Sequence, residues 1–283
     1  MPAYLVIGHV TLDAIPDGFT VGGTATYSAV TASRLGWSAR ILTACSAQGR
    51  EELMRTVPDA ELACIEADTT TTFRNCYDGG RRIQRLLSVA PPLTPDLLPP
   101  AWLDSDVVHL GPVAREVADA FMTAFRCSAT LGLTPQGWLR DWDEEGNVSP
   151  ARWLPAPEHL RAADAVILSE DDVGLHSDLI PYYARYCRVV VTEGYRGSTI
   201  YDGSQRLKLN PRSTQEVDPT GAGDVFAAAF LIRLRETGDP VGAARFGNVA
   251  GSFSVEGGGV STIPDRQAIE RWLADHRDPC GAG

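Results

Sequence analysis

Asp218-Pro219-Thr220-Gly221-Ala222-Gly223-Asp224 runs straight into the small, apolar stretch Val225-Phe226-Ala227-Ala228-Ala229-Phe230. Two glycines flanking an alanine let the backbone approach a ligand closely, and a helix starting there aims its unpaired N–H groups at whatever sits in front of it. That makes an anion hole. An aspartate at the mouth of such a hole repels phosphate but suits a general base facing a substrate hydroxyl. The segment points to phosphoryl transfer, although the same glycines would also serve a plain turn at a helix start.

Working outward, short β-branched runs alternate with helical patterns. Residues 4–8, 39–43, 107–110, 165–168, 189–192 and 198–201 are predicted strands, and 25–35, 115–126, 178–186 and 224–235 are predicted helices. Strands separated by helices imply a mainly parallel sheet covered on both faces, an α/β doubly wound three-layer fold. Two stretches break the rhythm. Residues 69–89, with Thr-rich alternation around Asp78-Gly79-Gly80, form a predicted β-hairpin, and residues 11–21 lead into Gly22-Gly23. The proline-rich run between Pro91 and Pro100 is expected to connect elements within one domain spanning 1–283.

The chain has 283 residues, 44% of them hydrophobic, which is enough for a large core. A net charge of −11 argues against nucleic-acid or anionic-membrane partners, which need a basic footprint. The six cysteines show no CxxC pair and no histidine spacing for zinc, so reduced thiols and a cytoplasmic location are expected. The start, Tyr4-Leu5-Val6-Ile7-Gly8, reads as a strand and not as a leader or membrane span. Lys208 is the only lysine and follows no GxxxxG loop, which removes P-loop and lysine Schiff-base chemistry.

The 218–224 segment resembles the DTxGAGD signature of the ribokinase-like (PfkB-type) carbohydrate kinases, with Pro219 at the variable position. The resemblance implies Asp224 as the base, with Gly221, Ala222 and Gly223 steadying the transferred phosphoryl group. It also implies that the strands of 11–21 and 69–89 form a small β lid. Asp13, just beyond the first strand, matches the family's aspartate that holds substrate hydroxyls, and Gly22-Gly23 matches its first glycine signature. Tyr27 stands where ribokinase-type members usually carry a sugar-contacting Asn, so ribose itself fits less well; a core-facing aromatic would also account for it. Thr134-Pro135-Gln136-Gly137-Trp138-Leu139-Arg140 is similar to the DxQGxxR stretch of inositol-kinase-like members, giving Gln136 a place at a diol and Arg140 one at phosphate.

Ser169-Glu170-Asp171-Asp172 occupies the place of the family's NxxE motif, so Asp172 is the expected contact to Mg²⁺, through water. Thr192 and Gly194 in Val191-Thr192-Glu193-Gly194 match the VTxGxxG segment along the nucleotide phosphates. Asn248, Gly251 and Ser252 match the helix lining the adenine pocket, although small residues there equally suit helix packing. Together with Gly8-His9-Val10, Gln136-Gly137 and the Thr69–Thr72 run, the spelling is most similar to myo-inositol kinases. The implied activity is ATP- and Mg²⁺-dependent phosphorylation of a cyclitol, with a nucleoside or simple-sugar kinase, or a non-catalytic ligand-binding regulator, as the other readings. Expected partners are a small polyol and ATP, not nucleic acid or membrane; a homodimer is left open.

Overall fold

The computed structural model describes residues 1–15, 18–78 and 81–276. The Gly79-Gly80 turn and Cys280 lie outside them. The main sheet is nine-stranded, in the order β15-β14-β13-β12-β9-β8-β1-β4-β5. Its strands are β1 (Ala3–Ile7), β4 (Ser38–Cys45), β5 (Glu61–Glu66), β8 (Val107–Leu110), β9 (Thr130–Leu133), β12 (Ala165–Ser169), β13 (Arg188–Thr192), β14 (Ser198–Asp202) and β15 (Gln205–Leu209). All neighbours from β13 through β5 pair in parallel, and β14 and β15 add on antiparallel at one edge.

Alternation along β1 sorts the core into two. Tyr4 and Val6 point to one face, where they pack with α1 (Gly23–Arg34), α6 (Ala222–Thr237) and α7 (Pro240–Ser254). Leu5 and Ile7 point to the other, toward Phe121, Met122, Leu160 and Tyr183. Each fully buried aliphatic side chain contributes about 1.5–3 kcal/mol. The result is the expected three-layer α/β arrangement. The remaining helices are α2 (Ala47–Thr56), α3 (Pro157–Ala162), α4 (Glu170–Val173), α5 (Leu179–Tyr183) and α8 (Arg266–Asp275).

A second sheet, in the order β3-β2-β6-β7, is built from β2 (Thr11–Ile15), β3 (Gly18–Gly22), β6 (Thr71–Asp78) and β7 (Arg81–Ser88). The two segments that broke the sequence rhythm therefore pair with each other, β2 parallel to β6, as well as forming hairpins. The buried His9 joins this sheet to the end of β1: its Nδ1 meets Thr71 Oγ1 at 2.7 Å and its Nε2 the Pro91 carbonyl at 2.9 Å. A short ribbon of β10 (Arg140–Trp142) and β11 (Val148–Pro150) completes the strands.

Residues 115–126 were expected to be helical and are not. The buried Glu116 carboxylate accepts the N–H groups of His9, Val113 and Ala114, Arg115 takes a left-handed φ of 60°, and Leu93 pairs with Val117, so the backbone is held in a bend before any helical turn can close. Only the short 3₁₀ turn Asp119–Thr123 remains. The helix expected over 178–186 is cut to α5, and β5, β9 and β15 had no strand signal strong enough to be predicted. Cys45, Cys64, Cys127 and Cys187 are free thiols, and no helix of the described residues is long and apolar enough to cross a membrane.

Candidate active site

Parallel strands all finish on one edge of the sheet, where ligands collect in open α/β folds. Asp13 lies in β2, beyond the end of β1, Gly111 follows β8, Thr134 and Gln136 follow β9, Asp172 follows β12, and Thr192 closes β13. The N-terminus of α6 faces them, and Gly221 caps it in the left-handed conformation, at φ 78° and ψ −3°, with no side-chain cap. A side chain at Gly221 would strike the Tyr27 ring. Gly223 is different. Its backbone is ordinary, it is exposed, and a Cβ built there would meet no protein atom within 4 Å. The fold requires the first glycine and leaves space in front of the second.

The Asp224 carboxylate sits one turn into this helix start, partly accessible but largely stripped of water. Burial pushes its pKa up to about 6, with the Asp172 charge adding to the rise and the Thr24 hydroxyl and Arg140 pulling it down. A carboxylate so placed is ionised at neutral pH yet basic enough to take a proton. Arg140 donates to the Val113 carbonyl at 3.4 Å and lies over the Phe73 ring of β6, 5.6 Å from its centroid, tying the second sheet to this carboxylate.

On the acceptor side, Asp13 lies directly over Gly22: a Cβ at Gly22 would stand 3.0 Å from Asp13 Oδ2. Gly23 comes equally close to the His9 and Thr11 backbone, where a Cβ would stand 2.6 Å from the His9 carbonyl oxygen. Tyr27 is buried, and its pKa is raised by burial first and then by the charges of Asp224, Asp218 and Asp13. The residue at the usual Asn position therefore both packs under the α6 glycine turn and lies within electrostatic reach of these carboxylates. Gln136 Nε2 donates to Asp172 Oδ1 at 3.1 Å. The other carboxylate oxygen, Oδ2, accepts the Ser169 N–H at 2.8 Å, and Ser169 in turn caps Asp172, forming a reciprocal capping box.

Each Asp172 oxygen thus accepts one hydrogen bond and keeps a second lone pair. Among the described residues, no cluster of three His, Cys, Asp or Glu could hold a metal. The donor set fits a Mg²⁺ ion carried on phosphate oxygens and water, with Asp172 acting at one remove.

On the donor side, Gly194 is exposed, with open space before it, and Thr192 Oγ1 reaches back 3.5 Å to the Leu168 carbonyl. Glu193 is held by Lys208 and Thr199, and Arg196 pairs with Glu170. Asn248 and Ser252 are buried. Asn248 donates to the Asn210 carbonyl at 3.3 Å and Ser252 to the Val249 carbonyl at 2.8 Å. Gly251 faces the Ala222 carbonyl, 3.3 Å from where its Cβ would stand, so it lets α7 approach α6.

Sequence reasoning missed the floor of the site. The buried His109 joins Tyr4 (2.7 Å), Ser28 (3.3 Å) and Thr134 (2.9 Å), and burial lowers its pKa to about 3, so it is neutral. Gly111 leaves room for Thr24, whose methyl carbon a Cβ at that position would strike. The only signal was an apolar strand with one histidine ending in a glycine, which many cores share.

The fold is that of the ribokinase-like proteins. Residues 176–266 match the pfkB family carbohydrate kinases. The chain superposes on a pyrophosphate-dependent kinase of the ribokinase family solved with a pyrophosphate analogue and myo-inositol. That likeness has a TM-score of 0.79 at 21% identity and covers 95% of this chain and 99% of that one. The resemblance to pfkB-type carbohydrate kinases drawn from the sequence is borne out over residues 176–266.

Among curated relatives, inositol 3-kinase of Arabidopsis thaliana is 26% identical over 196 residues, which is 66% of this chain and 55% of that protein. Cytidine kinase of Thermococcus kodakarensis is 26% identical over 245 residues, 80% of this chain and 86% of that protein. The chain thus spans little more than half the length of the plant enzyme.

Proposed function

We propose that this protein transfers a phosphoryl group from ATP, with Mg²⁺, to a hydroxyl of a cyclitol, with myo-inositol the best candidate. The observation that carries the reading is Asp224: a carboxylate with its pKa raised to about 6, placed at an uncapped helix start beside an exposed glycine with empty space in front of it. The acceptor oxygen attacks the terminal phosphorus in line, and its proton passes to Asp224. The N–H groups of the Gly221–Gly223 turn face the charge that develops on the transferred group. Asp13 and Gln136 supply hydrogen-bonding capacity for further hydroxyls, which suits a neutral polyol. Bound Mg²⁺ would neutralise the donor phosphates; Asp172 would orient its waters and holds up the pKa of Asp224.

The chain is read as one kinase domain in which the β2-β3-β6-β7 sheet acts as a lid over the acceptor. A cytoplasmic enzyme, with a homodimer as one option, is the accompanying proposal. Likeness to a cytidine kinase favours a nucleoside as the second acceptor class to test. The screen that decides is phosphorylation of cyclitols, pentoses, hexoses and nucleosides, read as phosphate ester formed. We expect ester from myo-inositol; ester from nucleosides alone overturns the acceptor, and no ester from any acceptor favours a ligand-binding regulator.

A further inference from the structure

The C-terminal ends of β4 and β5 bring two thiols together. Register pairs Cys64 with Thr43 and Cys45 with Glu66, so the two cysteines stand diagonally on one face of the sheet, and their sulfurs meet at 3.2 Å. β5 is an edge strand of the main sheet. Cys64 is half-buried there, whereas Cys45 is buried. The Cys45 thiol donates to the Cys64 sulfur and, with the Arg50 charge, holds the Cys64 thiol below its ordinary range, against the opposing pull of burial and Glu66. The same hydrogen bond, and then burial, hold the Cys45 thiol above that range. One sulfur is therefore suited to attack a reagent arriving from solvent, and the other is placed behind it to displace what it picks up.

The pair lies at the root of the second sheet. Ser46, next after Cys45, caps α2, and its N–H and hydroxyl both meet Thr70 Oγ1, at 3.1 and 2.8 Å. The Thr70 carbonyl accepts the hydroxyls of Thr72 in β6 and Ser88 in β7. A Cβ on Gly49 would strike the Thr70 side chain and stand 3.1 Å from Cys45 Cβ, so the first turn of α2 is wedged against both.

We propose that Cys45 and Cys64 form a redox-active pair that a low-molecular-weight disulfide closes into an intramolecular bond, and that this bond fastens the edge strand and the root of the second sheet. In the step, the Cys64 thiolate attacks one sulfur of the small disulfide and its partner sulfur leaves as a thiolate. Cys45 then gives up its proton to solvent and its sulfur attacks Cys64 Sγ, releasing the second small thiolate. The two protein thiols lose two electrons, and the small disulfide gains them. The new bond closes the loop that contains α2, which restricts both the unfolded chain and local opening of β5.

The test treats the full native chain with oxidised glutathione, blocks remaining thiols, and maps the peptides of the monomer. Thermal midpoints and amide exchange are measured before and after. We expect a Cys45–Cys64 cross-link that dithiothreitol reverses, a midpoint at least about 3 °C higher in the oxidised protein, and slower exchange of the Ser46 N–H. Cys45→Ala should stop the reaction at glutathione bound to Cys64, and Cys64→Ser should leave Cys45 unmodified; neither variant should gain midpoint on treatment. Absence of the cross-link in the wild-type monomer, or a lasting glutathione adduct on wild-type Cys64, overturns the pairing. A cross-link formed with the midpoint unmoved or lowered, or with Ser46 exchange unslowed, overturns the fastening.

Discussion

The start of α6 and the C-terminal half of α7 use the same residue types for opposite purposes. At the α6 start, Gly223 faces empty space and no side chain caps the helix; in α7, Gly251 faces the Ala222 carbonyl and Asn248 is spent on Asn210. Gly221 stands between these extremes, required by its left-handed backbone and by the Tyr27 ring beneath it. The lesson is that a glycine near a site carries no role by itself. What distinguishes them is what a side chain would meet: protein for Gly221 and Gly251, and open space for Gly223.

The sharpest break in that comparison is chemical. Asp224→Asn keeps the shape of the α6 start and removes the carboxylate proposed as the base. Turnover should fall about a hundredfold to ten-thousandfold with donor and acceptor affinities nearly unchanged. Near-native turnover would mean that another group takes the proton.

Next comes the pair of glycines. Gly223→Val should lower turnover by on the order of a hundredfold while leaving the thermal midpoint close to wild type, since the space it fills is ligand space. Gly221→Val should lower the midpoint itself, because it combines a disfavoured backbone with a clash against Tyr27. Melting curves and rates on the two variants check the contrast; equal loss of stability in both would return Gly223 to a purely structural role.

A smaller effect belongs to the acceptor side. Asp13→Ala should raise KM for the polyol by roughly fivefold to a hundredfold, as expected for about 1–3 kcal/mol when a buried polar group loses its partner, and leave KM for the donor unmoved. A defect confined to the donor would place Asp13 outside the acceptor site.

Much of this was legible beforehand because it rests on local rules. Short β-branched runs alternating with helical patterns marked strands of the central sheet, and the Gly221–Asp224 spelling marked the helix start and its carboxylate. What stayed hidden depends on partners distant in sequence. Residues 115–126 have a helical pattern, yet Glu116 spends its carboxylate on His9, Val113 and Ala114, and no local pattern encodes that. The commitment of Asp172 to Ser169 and Gln136 likewise appears only once β9 and β12 lie side by side. Tyr27 was visible as a departure from the usual Asn, but its place under Gly221 follows from α1 packing against α6.

The most direct test of the central claim is the pH dependence of kcat/KM for myo-inositol, in wild type and in Asp172→Asn, with Mg²⁺ high enough to keep donor titration out of the range. Asp224 must be ionised to act, so activity should be full above its pKa and fall tenfold per pH unit below it, with the wild-type limb near pH 6. Removing the Asp172 charge takes away part of what raises that pKa, so the limb should move to lower pH in the variant. A flat wild-type profile through pH 6, or a limb that stays in place when the Asp172 charge is gone, would contradict the assignment of Asp224 as the base.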